Sequence, residues 1–197
     1  MKYKNYIWDL GGTLLDNYES STRAFEETLR KYNIFVSHDD IYQALKKSTD
    51  YAVNKFARNI PDFLKQYKEA EKVLLEEPIL FDGASEVLEY IVQSGGKNFM
   101  ISHRDNHVLD ILESAGIAEY FTEVVTSDSD FPRKPNPQSV KYLIDKYNLT
   151  NALMIGDRLL DIEAAQKAGI TSMHFGGDLE IASDYHIASL DEIKEIK

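Results

Sequence analysis

Five residues with side chains suited to phosphate chemistry lie at predicted strand ends or in the segments that follow them. They are Asp9, Ser102, Lys134, Asp157 and Asp161. Carboxylates brought close together repel one another unless a cation neutralises them, and Mg²⁺ prefers carboxylate and phosphate oxygens as ligands. An ionised aspartate can attack phosphorus to give an aspartyl-phosphate that water then cleaves, and a nearby lysine supplies fixed positive charge. The set predicts Mg²⁺-assisted phosphoryl transfer with Asp9 as the nucleophile.

Two further features suit phosphate oxygens. The backbone amides of the Gly11-Gly12 turn and the Ser102 hydroxyl can donate hydrogen bonds to a bound phosphoryl group. His103 follows Ser102 directly and is a candidate for substrate contact or for proton supply. Gly11, Gly12, Ser102 and His103 therefore form a predicted phosphate-binding region beside the predicted metal site.

A parallel sheet must bring these residues together, because they are far apart along the chain. Short apolar runs predict strands at residues 6–8, 99–101, 124–126, 152–155 and 171–175. Helical periodicity, in most cases stopped by glycine, predicts helices at residues 84–93, 108–115, 138–147 and 162–168. This alternation predicts an α/β fold with a doubly wound, Rossmann-like parallel sheet, in which ligands bind at the carboxyl ends of the strands.

The stretch from residue 16 to residue 77 shows only helical periodicity. Ser37 is a predicted helix cap, residues 20–22 form a helix start signal, and a further short helix is predicted at 190–196 in the tail 178–197. The apolar stripes contain Phe25, Leu29, Tyr32, Ile41, Ala44, Leu45, Val53, Phe56, Ile60, Phe63, Leu64, Tyr67, Val73 and Leu74. We therefore predict a helical cap at residues 16–78, inserted into a core of residues 1–15 and 79–197.

Composition narrows the class of partner. The chain has 197 residues, no cysteine and a formal net charge of −11. Strong negative charge disfavours nucleic acid, and the lack of cysteine excludes thiolate catalysis and disulfides. The sequence shows neither a signal peptide nor an apolar run long enough for a membrane span, so we expect a cytoplasmic protein. A monomer and a homodimer both remain open.

Four motifs, in order, resemble those of the haloacid dehalogenase superfamily of hydrolases. The segments are WDLGGTL at 8–14, IS at 101–102, KPNP at 134–137 and IGDRLLDI at 155–162. The insert after the first motif resembles the helical-cap subfamily that includes phosphoglycolate phosphatases, β-phosphoglucomutases and dehalogenases. The segment 81–83 and the helix that follows it also resemble that subfamily's entry into the core. The resemblance covers nearly the whole chain and implies hydrolysis of a small phosphorylated metabolite.

The resemblance also implies individual roles. Asp9 would be the nucleophile and a Mg²⁺ ligand, with the backbone carbonyl of Gly11 on the same ion. Asp157 would be a second carboxylate ligand, and Asp161 a supporting or alternative ligand. Ser102 and Lys134 would bind the phosphoryl group.

Gly11 departs from the pattern of the phosphatases and mutases that the chain resembles. These enzymes place an aspartate there that protonates the leaving group, and losing a positioned acid costs ~10²–10⁴ in rate. One outcome is hydrolysis of substrates with good leaving groups, such as acyl phosphates. A second is proton supply by His103 or Asp16, although Asp16 also fits a helix cap. A third is a weakly active enzyme or a non-catalytic phosphate-binding regulator.

Other chemistry of the superfamily stays as a weaker alternative. A phosphonatase would need a cap lysine for an imine, and Lys46, Lys47 and Lys55 lie in the predicted cap. A charged helix face explains these lysines more simply. A metal-free dehalogenase fits the acidic pair Asp157 and Asp161 poorly, because paired carboxylates suit a cation better than a halide.

Overall fold

The computed structural model of the chain describes residues 2–74, 77–176 and 180–196. Residues 75–76 of the predicted helical stretch, and residues 178–179 and 197 of the predicted tail, lie outside the described residues. The chain divides into two compact units, Met1–Leu15 with Leu80–Lys197 and Asp16–Ile79. Ile79, one residue beyond the predicted boundary, groups with the second unit, where its carbonyl accepts a hydrogen bond from the Asp16 amide (2.8 Å).

The strands are β1 (Asn5–Trp8), β2 (Lys97–Ile101), β3 (Phe121–Val125), β4 (Ala152–Gly156), β5 (Thr171–Phe175) and β6 (Tyr185–Ile187). The α-helices are α1 (Asn17–Arg30), α2 (His38–Lys47), α3 (Thr49–Phe56), α4 (Phe63–Leu74), α5 (Ala84–Gln93), α6 (His107–Ser114), α7 (Gln138–Tyr147) and α8 (Leu159–Ala168). Short 3-10 helices span Ala118–Tyr120, Ser127–Ser129 and Leu190–Glu195.

The strands of the first unit form one sheet in the order β3-β2-β1-β4-β5-β6. All neighbouring strands are parallel, with Trp8 of β1 opposite Met100 of β2 and Ile155 of β4. The strand order reverses direction between β1 and β4, which makes this the topological switch point of a doubly wound sheet. The predicted α/β fold with a Rossmann-like parallel sheet is confirmed.

Both faces of the sheet are covered. Tyr6, Trp8 and Met100 belong to an apolar cluster that contains residues of α5, α6 and the 3-10 helix Leu190–Glu195. Ile7 and Phe99 point to the other face and pack with residues of α7 and α8. Because strand side chains alternate, a strand buried on both faces reads as a continuous apolar run.

Four features of the element predictions differ from the structure. Thr126, predicted as the end of a strand, instead caps the 3-10 helix Ser127–Ser129, where its side chain accepts from the Asp128 amide. Helix α8 begins at Leu159, ahead of the predicted start at residue 162. The predicted tail helix is a 3-10 helix, and β6 was not predicted.

The second unit contains α1 to α4, as predicted for an all-helical stretch. Phe25 lies at its centre, with ring centroids 4.8 Å from Phe63 and 5.1 Å from Tyr67. Helix α1 begins before the predicted signal at 20–22, because Asp16 is its cap. Leu64 and Val73, predicted to lie on the packed stripe, are exposed, as is Tyr32.

Helix α2 shows how local sequence sets an element of this unit. The Ser37 side chain accepts a hydrogen bond from the Asp40 amide and caps the helix, as predicted. Ile41, Ala44 and Leu45 are buried, and the spacing of three and four residues from Ile41 places them on one face of the helix. In the part of the chain that the structure describes, no helix is long and apolar enough to cross a membrane.

Candidate active site

The site lies at the carboxyl ends of β1, β2 and β4, within the first unit. Asp9 follows β1 and donates its backbone N–H to the carbonyl of Ile155 (2.9 Å), which fixes where the strand ends. Ser102 follows β2 and donates its N–H to the Val125 carbonyl (2.9 Å). Asp157 follows β4 directly. Asp9 and Asp157 therefore flank the switch point, where open α/β sheets bind ligands.

Lys134 lies at the centre of the site. Its Nζ is 2.5 Å from Asp9 Oδ1 and 2.6 Å from Asp161 Oδ1, and it donates to the Ile101 carbonyl at 3.0 Å. The side chain is only 1% exposed. Burial opposes the charged ammonium, but the two carboxylates outweigh burial and raise the pKa of Lys134. The Lys134 ammonium thus donates hydrogen bonds to Asp9 and Ile101 and forms an ion pair with Asp161, all within the protein.

The carboxylates of Asp9, Asp157 and Asp161 form an acidic group at this edge. Each offers an oxygen, and these oxygens all lie within 4.8 Å of one another. Burial, together with the carboxylates of Asp9 and Asp161, raises the pKa of Asp157 to about 7. Burial also raises the pKa of Asp161 to about 6, although Lys134 opposes this. A cation would relieve the repulsion and the desolvation together, and an all-oxygen donor set fits Mg²⁺.

Gly12 brings the first loop against the acidic group. It has φ +90°, and a Cβ at this position would lie 2.2 Å from Asp157 Oδ2. Gly156 is in a similar position, since its Cβ would lie 2.3 Å from the Cβ of Asp161. The Gly12 N–H, expected to face phosphate oxygens, instead donates to the Leu15 carbonyl (2.8 Å). Gly12 thus gives Asp157 its space.

Ser102 and His103 lie beside Lys134. Ser102 is buried, and its Oγ accepts from the Arg104 amide at 3.2 Å. His103 Nε2 accepts the backbone N–H of Lys134 at 2.9 Å, so the ring proton sits on Nδ1. Burial and the charges of Lys134 and Arg133 lower the pKa of His103 to about 4. His103 is therefore neutral near pH 7 and offers no imidazolium proton.

Asp16, the other candidate for proton supply, belongs to the second unit. Its Oδ1 accepts from the Glu19 amide (3.0 Å) and from the Tyr42 hydroxyl (3.1 Å). Burial raises the pKa of Asp16. These contacts are those of a helix cap.

The lysines considered for imine chemistry lie on exposed faces of the second unit. Lys46 and Lys47 place their Nζ atoms 5.9 and 4.8 Å from the ring centroids of Tyr42 and Tyr51. Lys55 lies 4.7 Å from the ring of Phe56. All three are exposed, as a solvated helix face requires.

Sequence reasoning did not identify His174 as a residue near the site. It lies on β5 with 1% of its surface exposed, and its Nε2 is 3.1 Å from the carbonyl oxygen of Asp157. The available signal was a single histidine in the predicted strand TSMHF. A polar side chain that is buried in a sheet needs a hydrogen-bond partner.

Comparison with known proteins places the chain in a family. Residues 6–175 match the family described as haloacid dehalogenase-like hydrolase. A hydrolase from Streptococcus pneumoniae TIGR4 is 53% identical with a TM-score of 0.90, covering 100% of both chains. The phosphoglycolate phosphatase of Vibrio parahaemolyticus is 27% identical over 98% of this chain and 95% of its own length. The pyrophosphatase PpaX of Oceanobacillus iheyensis is 25% identical over 86% of this chain and 82% of its own length. The chain belongs to the haloacid dehalogenase-like hydrolase family.

Proposed function

We propose that the chain is a Mg²⁺-dependent hydrolase that cleaves a small phosphorylated metabolite through an aspartyl-phosphate on Asp9. The observation that carries the proposal is the meeting of Asp9, Asp157 and Asp161 at the switch point, where the buried ammonium of Lys134 pairs with Asp9 and Asp161. Relatives named as phosphoglycolate phosphatase and pyrophosphatase support phosphate substrates. The proposed partner is a small molecule.

Asp9, Asp157 and Asp161, with the backbone carbonyl of Gly11, would hold Mg²⁺. The ion would supply positive charge to the phosphoryl oxygens and offset the repulsion among the carboxylates. Lys134 holds Asp9 Oδ1 in place through a charge-assisted hydrogen bond of 2.5 Å. The Ser102 hydroxyl is the proposed donor to a phosphoryl oxygen, with His103 as an uncharged neighbour of the substrate.

The reaction has two steps. An Asp9 carboxylate oxygen attacks phosphorus, the bond from phosphorus to the leaving-group oxygen breaks, and the leaving group departs with the electron pair. Water then attacks the same phosphorus and breaks its bond to Asp9, which releases phosphate and restores the carboxylate. We propose that the second unit, Asp16–Ile79, is the cap domain that selects the substrate.

Gly11 favours one alternative, a weakly active or non-catalytic phosphate-binding regulator. Position 11 has no side chain to protonate the leaving group, and His103 is neutral near pH 7. Departure of an alkoxide, whose conjugate acid resembles water (pKa ~15.7), would be slow without an acid. Departure of a carboxylate (pKa ~4) needs no proton. The lack of an acid should therefore appear as a preference for substrates with good leaving groups. Phosphonatase chemistry has less support, because the candidate imine lysines are exposed. Dehalogenase chemistry has less support, because paired carboxylates suit a cation better than a halide.

Gly11→Asp separates these functions. A screen of phosphorylated metabolites, with and without Mg²⁺, would compare the native chain with Gly11→Asp on acetyl phosphate and on glucose 6-phosphate. We expect Mg²⁺-dependent turnover of acetyl phosphate by both proteins. Turnover of glucose 6-phosphate should rise ~10²-fold or more in Gly11→Asp. Phosphate binding without turnover of any substrate would favour the regulator, and no Mg²⁺-dependent turnover or binding would contradict the proposal.

Gly12→Ala should lower kcat/KM for acetyl phosphate by ~10²-fold, because the new methyl group must displace the Asp157 carboxylate. Gly95→Ala is a matched control: Gly95 also has positive φ (+76°), but a Cβ there would meet nothing within 4 Å. In urea unfolding, both variants should have a free energy of unfolding ~1 kcal/mol below the native value, because alanine is strained at positive φ. Equal kcat/KM for the two variants would refute the role given to Gly12.

A further inference from the structure

His174 connects the fifth strand to the turn that carries Asp157. It lies opposite Gly156 in the register of β4 and β5, so its ring reaches the residue directly after β4. The partner atom, the Asp157 carbonyl oxygen at 3.1 Å, can only accept a hydrogen bond. The Nε2 atom of His174 therefore carries the ring proton and donates it.

The neighbours of His174 hold the ring in this position. His174 is 1% exposed, and its ring packs edge-on against that of His186 on β6, with centroids 5.5 Å apart. His186 Nε2 lies 3.1 Å from Ser183 Oγ, whose own proton goes to the Tyr185 carbonyl at 2.7 Å. The hydroxyl of Ser183 is thus the acceptor, and the His186 ring is also fixed in orientation.

Both the side chain and the backbone of Asp157 have close neighbours. The carboxylate occupies the space that the missing side chain of Gly12 leaves free. The backbone carbonyl accepts the hydrogen bond from His174. The carboxylate also offers an oxygen within 4.8 Å of the oxygens of Asp9 and Asp161. A shift of the Asp157 peptide would move its carboxylate relative to the other two.

We propose that His174 is a positioning residue that fixes the Asp157 peptide and so sets the geometry of the cation site. The proposal rests on the proposed function, in which Asp157 is a metal ligand. Groups that orient a metal ligand typically contribute 10–100-fold to metal affinity. A histidine that only filled the core would affect stability without affecting that affinity.

Direct metal binding tests the proposal. Mn²⁺ affinity, measured by electron paramagnetic resonance on metal-stripped protein, would be compared for the native chain, His174→Phe, His174→Gln and His186→Phe. His174→Phe keeps a ring but loses the donor, and we expect ~10–100-fold weaker Mn²⁺ binding. The amide of His174→Gln can still donate, and should restore affinity to within about threefold of the native chain. His186→Phe keeps an aromatic ring against His174 and should bind Mn²⁺ like the native chain.

The same variants separate positioning from stability and from the proposed function. The KM for Mg²⁺ should rise in His174→Phe, with kcat at saturating Mg²⁺ nearly unchanged. Native Mn²⁺ affinity in His174→Phe, or equal losses in the Phe and Gln variants, would overturn the proposal. If His174→Phe fails to fold, His174→Gln is compared with Asp157→Asn. Mn²⁺ binding by His174→Gln that is as weak as that of Asp157→Asn would likewise overturn the proposal. Absence of Mn²⁺ binding by the native chain would instead overturn the proposed function.

Discussion

Asp9→Asn should abolish turnover, with a loss of at least ~10⁴-fold in kcat on acetyl phosphate. The carboxamide has no ionised oxygen to attack phosphorus, and no other step replaces the covalent intermediate. The fold should survive, because asparagine has the same shape and its oxygen can still accept from Lys134, which keeps its ion pair with Asp161. Steady-state kinetics and thermal unfolding measure the two effects.

Asp184→Asn is the control for this substitution. Asp184 Oδ2 accepts both the N–H and the hydroxyl of Ser172, each at 2.8 Å, so exchanging this carboxylate for a neutral amide should weaken both bonds and lower stability. Turnover by the folded Asp184→Asn protein should remain near the native value. If Asp9→Asn kept more than a few per cent of native turnover, Asp9 would not be the nucleophile.

Lys134→Met should both destabilise the protein and inactivate it. The substitution leaves Asp9 and Asp161 without the ammonium that now lies 2.5 and 2.6 Å from them. Removing one partner of a buried ion pair typically costs about 3–5 kcal/mol, because the other charge stays buried and uncompensated. Urea unfolding should show this loss, and it should be smaller with Mg²⁺ present, since the cation neutralises the same carboxylates. Turnover should fall ~10³-fold as the phosphoryl group loses its fixed positive charge.

Lys146→Met provides the comparison. Lys146 pairs with Glu123 at 2.7 Å, but its side chain is 45% exposed. Solvent-exposed pairs contribute little to stability, so this variant should have a urea midpoint near that of the native chain and should retain turnover. Equal losses of stability in the two lysine variants would show that Lys134 is not a buried counter-charge.

The sequence was sufficient to predict the sheet and the edge where the site lies. Short, continuous apolar runs identified β1, β2, β4 and β5, because strands buried on both faces are apolar at successive positions. The strand β6, with only three residues, YHI, was too short to show a pattern. In the helical unit, Phe63, Tyr67 and Glu71 face inward at every fourth position of α4. Leu64 and Val73 are apolar but lie off that face.

The contacts within the site were less predictable. The predicted parallel sheet implied that Asp9 and Asp157 would meet, because carboxyl ends of parallel strands share an edge. Nothing in the spacing indicated that Lys134 would be shared between Asp9 and Asp161. Two other hydrogen bonds could not be predicted from side-chain type. The bond from the Gly12 amide to the Leu15 carbonyl depends on loop geometry, and the bond from His174 to the Asp157 carbonyl depends on strand register.

Trapping the covalent intermediate tests the central claim most directly. Native protein mixed with acetyl phosphate and Mg²⁺ would be quenched in acid within one turnover, digested and analysed by mass spectrometry. The proposed mechanism predicts one acid-stable, base-labile phosphoryl group on the peptide that contains Asp9, formed only when Mg²⁺ is present. Mg²⁺-dependent turnover with no phosphoryl group on Asp9, or with the group on another residue, would contradict the mechanism.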